Sequence, residues 1–165
     1  FFKQKTAYEI STRDWSSDVC SSDLGTILRT SSRGEYFQEN NGLFMRLFRT
    51  INENKVPMTV PVEAGMKPGS MVFYLDSVSA QRKDLQLPKG VSRKNLPERM
   101  VASIGIRGGY SQESYETHLL KLREWLRTQK GWKESGDPYA VYWNSPFMLP
   151  FFKRSEVHIP VIREK

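Results

Sequence analysis

Hydrophobic positions along the chain change period twice, in the same order. Residues 25–32 are short and β-branched between polar flanks, which predicts a strand. Phe44, Leu47, Phe48 and Ile51 recur three and four apart, which predicts a helix over 42–53, capped by Asn41 and stopped by Asn54. Val56, Met58, Val60 and Val62 then alternate with Pro57, Thr59 and Pro61. Period two predicts a strand over 56–62, and its prolines, with no N–H to donate, make it an edge strand or an irregular one. A turn at 65–69 and a strand at 71–75 follow.

Residues 77–97 hold Arg82, Lys83, Lys89, Arg93 and Lys94 with few apolar positions, and read as a connecting stretch. Then the order recurs. A strand is predicted over 99–106, ending near Gly108 and Gly109. Ser111 is an N-cap, and Glu113 sits in the first turn, where the helix dipole favours an acid. Tyr115, Leu119, Leu122 and Leu126 make one apolar face, and Gly131 stops the helix. Strands at 139–144 and 156–162 close the pattern, with a loop at 145–154. Each helix needs a sheet to bury its face, and strand follows strand within each half. The expected class is therefore α+β, built as β-α-β-β twice, with a pocket expected where the two repeats meet.

Residues 1–24 do not fit this pattern. The runs KQKTAYEI (3–10) and DWSSDVCSSDL (14–24) resemble translations of the oligonucleotide adapters used in short-read DNA sequencing. They lack the charged-then-apolar build of a signal peptide. Three acids and five serines in 11–24 leave too little apolar surface to offset ordering costs of ~1–2 kcal/mol per residue. The segment is expected to be a non-native, disordered leader, with residues 25–165 forming a single domain.

Charge and composition narrow the function. The chain has 25 Lys and Arg against 18 Asp and Glu, and its one cysteine, Cys20, falls in the leader. That excludes a disulfide framework and a Cys-rich zinc site. No apolar run approaches the ~18 residues of a membrane span. The basic cluster before Arg99 is broken by Asp84 and Glu98 and has no aromatics for base stacking, so no nucleic-acid partner is expected. Gly105, Gly108 and Gly109 do not match a phosphate-binding pattern and read as a bend from strand into helix. A soluble monomer is expected, with the cytoplasm favoured.

Three segments carry a family resemblance. LFRTINENKVPMTVPVE (47–63), GIRGGY (105–110) and YWNSPFMLPFFKRSEVHIPV (142–161) resemble, in that order, signatures of the SOUL haem-binding protein family. The likeness covers most of 27–161. It implies a SOUL or GyrI-like fold, in which two βαββ repeats form a distorted antiparallel barrel with two helices. It also implies non-catalytic binding of haem, or a related tetrapyrrole, in an apolar groove beside the first helix. The family's opening strand is not seen, so the sheet edge near Ile27 and Thr30 is expected to be exposed and prone to pairing with other chains.

On that reading the ligand-contacting residues are Phe44, Phe48, Met58, Tyr74, Trp143, Phe147 and Met148, with Arg49 facing the propionates and Arg46 as a weaker candidate. The apolar run at 146–152 lies in a loop, where so much apolar surface suggests a lid. His118 reads as a partly buried structural histidine and His158 as an exposed one on the last strand. Neither matches an axial-ligand position, so the metal ligand is unknown. The alternative reading is a GyrI-like small-molecule-binding or hydrolase domain using Glu63, because a carboxylate in an apolar pocket can serve as a general base near neutrality.

Overall fold

The computed structural model describes residues 18–22, 25–144 and 148–164, the first of these segments by its backbone alone. The chain divides into two compact units, Leu24–Pro97 and, together, Phe1–Asp23 with Glu98–Lys165.

The Leu24–Pro97 unit contains β2 (Gly25–Ser31), α1 (Tyr36–Glu53), β3 (Val62–Gly65), β4 (Ser70–Tyr74) and β5 (Val91–Leu96). Its strands run antiparallel in the order β3-β4-β2-β5. Leu43, Leu47, Thr50 and Ile51 form the buried face of α1, which packs on β2 and β4. The other unit contains β1 (Asp18–Ser22), β6 (Arg99–Arg107), α2 (Gln112–Thr128), β7 (Trp132–Glu134), β8 (Tyr139–Tyr142) and β9 (Arg154–Arg163). Its order is β1-β6-β9-β8, with β7 also on β9. Tyr115, Leu122 and Leu126 are buried as expected, and Leu119 is half-buried. Ser111 caps α2 by accepting from the Ser114 N–H at 3.2 Å. Gly131, at φ +81°, turns the chain after it in the left-handed region that disfavours other residues.

The two units repeat one plan: β2·β4, β3·β4 and β2·β5 correspond to β6·β9, β8·β9 and β6·β1. The α+β class and the doubled β-α-β-β order are as expected, but five local expectations are corrected.

First, the leader is not wholly without structure, since Asp18–Ser22 pairs with β6 from Asp18↔Ser103 to Ser22↔Arg99. Strand addition to an open edge needs backbone donors and acceptors rather than an apolar pattern. Phe1–Ser17, Asp23 and Leu24 lie outside the described residues. Second, residues 91–96 of the supposed connecting stretch are β5. Third, β5 covers β2, so Ile27 and Thr30 lie in an interior strand and not at an exposed edge. Fourth, α1 begins at Tyr36, not at 42. The 66–69 turn holds its start: the Tyr36 N–H donates to Met66 O at 3.1 Å and the Gly69 N–H to Gly34 O at 2.8 Å. A Cβ on Gly69 would come within 2.9 Å of Tyr36 N, so the approach requires glycine. Fifth, the strand expected over 56–62 begins only at Val62, after the last proline of that stretch.

Asn54 stops α1 as expected and does more. It is buried, donates through Nδ2 to Thr50 O at 2.8 Å and to Gln86 O at 2.9 Å, and accepts from the Gln86 N–H at 2.7 Å. Arg82 adds a bond to its carbonyl at 2.6 Å. The polar 76–90 segment is thereby tied to the helix end.

Candidate functional site

In the Leu24–Pro97 unit the sheet separates two sets of residues. Directly paired residues share a face and alternate residues share a face. Phe73 pairs with Val62 and with Leu28, whereas Val72 pairs with Glu63. Phe73 therefore faces one way, and Val72, Tyr74 and Glu63 the other.

On the Phe73 side, the Phe44 ring meets Phe73 edge-on at 5.7 Å and stacks on Phe48 at 5.5 Å and 15°. Positions four apart on a helix meet in this way. Phe44 and Phe48 flank the buried face of α1 and remain half-buried, while Arg49 is exposed. Met58 is exposed in the proline-bearing stretch. Arg46, the weaker cation, is engaged: its Nη1 donates to Thr30 Oγ1 at 2.9 Å. On the other side Glu63 is buried, and Tyr74 Oη donates to its Oε1 at 2.6 Å. Tyr74 thus sits with the alternative residue Glu63 and not with Phe44 and Phe48, a separation that residue type alone does not reveal.

The other unit holds a set that the sequence reading missed. His158 was expected on the surface but is buried, because β9 is covered on both faces between Ser155 and Ile159. Its Nε2 lies 2.7 Å from Glu156 Oε2, and Nδ1 lies 3.2 Å from Tyr139 Oη. Glu156 is also buried, and the Arg99 guanidinium lies over the Tyr139 ring at 4.5 Å. The Glu-x-His spacing at 156–158 was the available signal: on a strand it puts an acid and an imidazole on one face. Trp143, at the same parity as Tyr139 and Val141, packs against them and Val101. Its Nε1 has no acceptor among the described residues. Met148 is exposed, and Phe147 lies outside the described residues. His118 is partly buried, with Nδ1 2.7 Å from Ser114 O. No group of three or more His, Cys, Asp or Glu suited to a metal ion occurs among the described residues.

A small cleft of about 10 Å³ lies at the start of α2, lined in part by Tyr110, Tyr115, Tyr142 and Glu156. That volume holds about one water and no organic ligand. Burial pushes the Tyr110 and Tyr115 hydroxyls up to about 12; near Tyr115 the Arg123 charge works against this. A tyrosine that ionises near 10 when unfolded and near 12 when folded contributes stability that is complete below pH 10 and lost as pH rises toward 12. At ~1.4 kcal/mol per unit, Tyr115 contributes up to about 2–3 kcal/mol, and the more exposed Tyr110 less, because solvent screens its charge. Urea unfolding at stepped pH is expected to show that fall, and a Tyr110→Phe, Tyr115→Phe variant to flatten it. An equal slope in both proteins would refute the assignment.

No curated protein matches the chain. Among solved structures, the C-terminal domain of EcmrR superposes with a TM-score of 0.71 at 10% identity, over 91% of this chain and 99% of that one. EcmrR in its complex with DNA gives a TM-score of 0.70 at 11% identity over 91% of this chain, which spans 58% of that longer one. A hydrolase from Listeria innocua gives 0.58 at 12% identity, over 88% and 91% of the two chains. SAV2435 bound to tetraphenylphosphonium gives 0.51 at 10%, over 89% and 94%. At such identities these likenesses concern the fold alone, and they agree with the GyrI-like architecture expected. The model of the SOUL heme-binding protein family matches residues 7–160, a span that reaches into the supposed leader. With the doubled β-α-β-β plan and the three signatures in order, the chain belongs to the SOUL heme-binding protein family.

Proposed function

We propose that the protein binds haem or a related tetrapyrrole beside α1, with Phe44, Phe48 and Met58 against the flat face and Arg49 toward the propionates. The observation that carries this is the stacked, half-exposed Phe44–Phe48 pair resting on Phe73. Rings offset at such spacing extend readily to another aromatic plane. A charge-assisted Arg–carboxylate bond adds ~1.5–3 kcal/mol. The residues fit the macrocycle and its carboxylates. They supply no imidazole, since residues 25–97 contain neither His nor Cys; Met58 offers a soft thioether. Binding without catalysis is the reading for this face.

A second reading is favoured by the buried Glu63–Tyr74 bond on the opposite face. There a buried carboxylate suits an organic cation; SAV2435, which shares the fold, was solved bound to one, tetraphenylphosphonium.

One titration tests both. Haemin is expected to give a saturable Soret shift near one equivalent. Phe44→Ala with Phe48→Ala should weaken binding tenfold or more, and Glu63→Gln should leave it unchanged. Absence of any shift at micromolar haemin would overturn the first reading. Tetraphenylphosphonium binding abolished by Glu63→Gln but untouched by the phenylalanine changes would establish the second.

A further inference from the structure

The loop between β8 and β9 was expected to cover a ligand, yet its described part faces outward. Met148, Leu149, Phe151 and Phe152 are 40%, 57%, 68% and 61% exposed. Single exposed apolar residues are ordinary, but four within five consecutive positions form a patch that soluble monomers rarely leave bare. A 3-10 turn at Pro150–Phe152 sets the two phenylalanine rings side by side, centroids 4.4 Å apart.

The base of this turn is pinned. The Phe152 N–H donates to Leu149 O at 3.0 Å, the Lys153 N–H to Pro150 O at 3.1 Å and the Gly108 N–H to Lys153 O at 3.0 Å. The rings are therefore presented by a fixed support.

Cations adjoin the patch. Lys153 and Arg154 follow it directly, and Arg107 stands opposite Arg154 in the β6–β9 register. Lys153 is held over the Tyr110 ring at 5.0 Å, which keeps its charge at the turn.

An apolar tip with a cationic collar is the chemistry of an anionic bilayer surface: aromatic rings sit at the headgroup level and Lys or Arg meet the phosphates. A protein partner would instead need roughly 800 Å² of matching surface per side, which a three-residue turn does not offer. No described helix is long and apolar enough to cross a membrane, so the contact is one of lying on the surface. We propose that this loop docks the protein on anionic lipid membranes, with Phe151 and Phe152 entering the interface and Arg107, Lys153 and Arg154 facing the lipid phosphates. This goes beyond the ligand-binding reading and does not depend on it.

The test is co-sedimentation of the full chain with phosphatidylcholine vesicles, with and without phosphatidylserine, at low and high salt. Partition onto the anionic vesicles is expected to exceed that onto neutral ones tenfold or more and to fall as salt rises. Phe151→Ser with Phe152→Ser should lower it at least tenfold with an unchanged circular-dichroism spectrum. Should that variant fail to fold, Arg107→Gln is read in the same assay and should reduce the anionic preference severalfold. The proposal is overturned by three outcomes: no vesicle binding, binding equal in wild type and variants, or a light-scattering mass showing self-association through the phenylalanines without vesicle binding.

Discussion

Replacing His158 by leucine is expected to destabilise the protein by about 3–5 kcal/mol, the usual cost of breaking a buried ionisable pair and leaving one partner behind. Glu156 is 6% exposed, and its Oε2 lies 2.7 Å from the imidazole that would be lost. Leucine fills much of the space and makes no bond, so the carboxylate stays enclosed without that partner. Tyr139 loses its contact with Nδ1 in the same change. Replacing both Glu156 and His158 by leucine is expected to recover most of the loss, because two apolar side chains no longer carry a desolvated polar group. Urea unfolding of the two single variants and the double variant measures the coupling. A cost below about 1 kcal/mol for His158→Leu would mean that the pair does not support this sheet.

Truncating Phe73 to alanine is expected to cost a similar 3–5 kcal/mol, the range for a fully buried phenylalanine. Phe73 is 1% exposed, lies between Leu28 and Val62 in register, and meets Phe44 edge-on. The change also removes the support beneath the Phe44–Phe48 stack. Haemin affinity should therefore fall well below the midpoint of unfolding. Leu122→Ala provides the contrast, since Leu122 is equally buried but belongs to the unit containing α2. It should lower stability by about 2–5 kcal/mol and leave haemin affinity unchanged. A Phe73→Ala protein that is destabilised but binds haemin like wild type would detach the ligand reading from this face of the sheet.

Period and capping carried much of the architecture. The apolar spacing over Phe44–Ile51 and Tyr115–Leu126 specified both helices, because a helix face repeats every three to four residues whatever surrounds it. Asn54, Ser111 and Gly131 marked three boundaries correctly, since those signals act within one turn of backbone. The doubled β-α-β-β order, the α+β class and the family signatures at 47–63 and 142–161 were likewise legible in the residues. So was the proximity of Phe44 and Phe48, which follows from a spacing of four.

Partners distant in sequence decided the rest. Residues 91–96 (VSRKNL) show no strand alternation and become β5 only because β2 offers its edge. Residues 18–22 do the same beside β6, although their composition argues against order. Tyr36 joins α1 because the 66–69 turn accepts its N–H, a contact invisible at a separation of thirty residues. Glu63 and Tyr74 lie apart from Phe44 because strand register assigns them opposite faces, and a shift of one residue would reverse that assignment. His158 is buried because the neighbouring elements cover both faces of β9, which alternation along a single strand cannot specify. Hydrophobic period thus determines the helices and the class. Hydrogen-bond pairing between distant backbone segments determines which polar residues become strands, and which of the acids and imidazoles end up buried together.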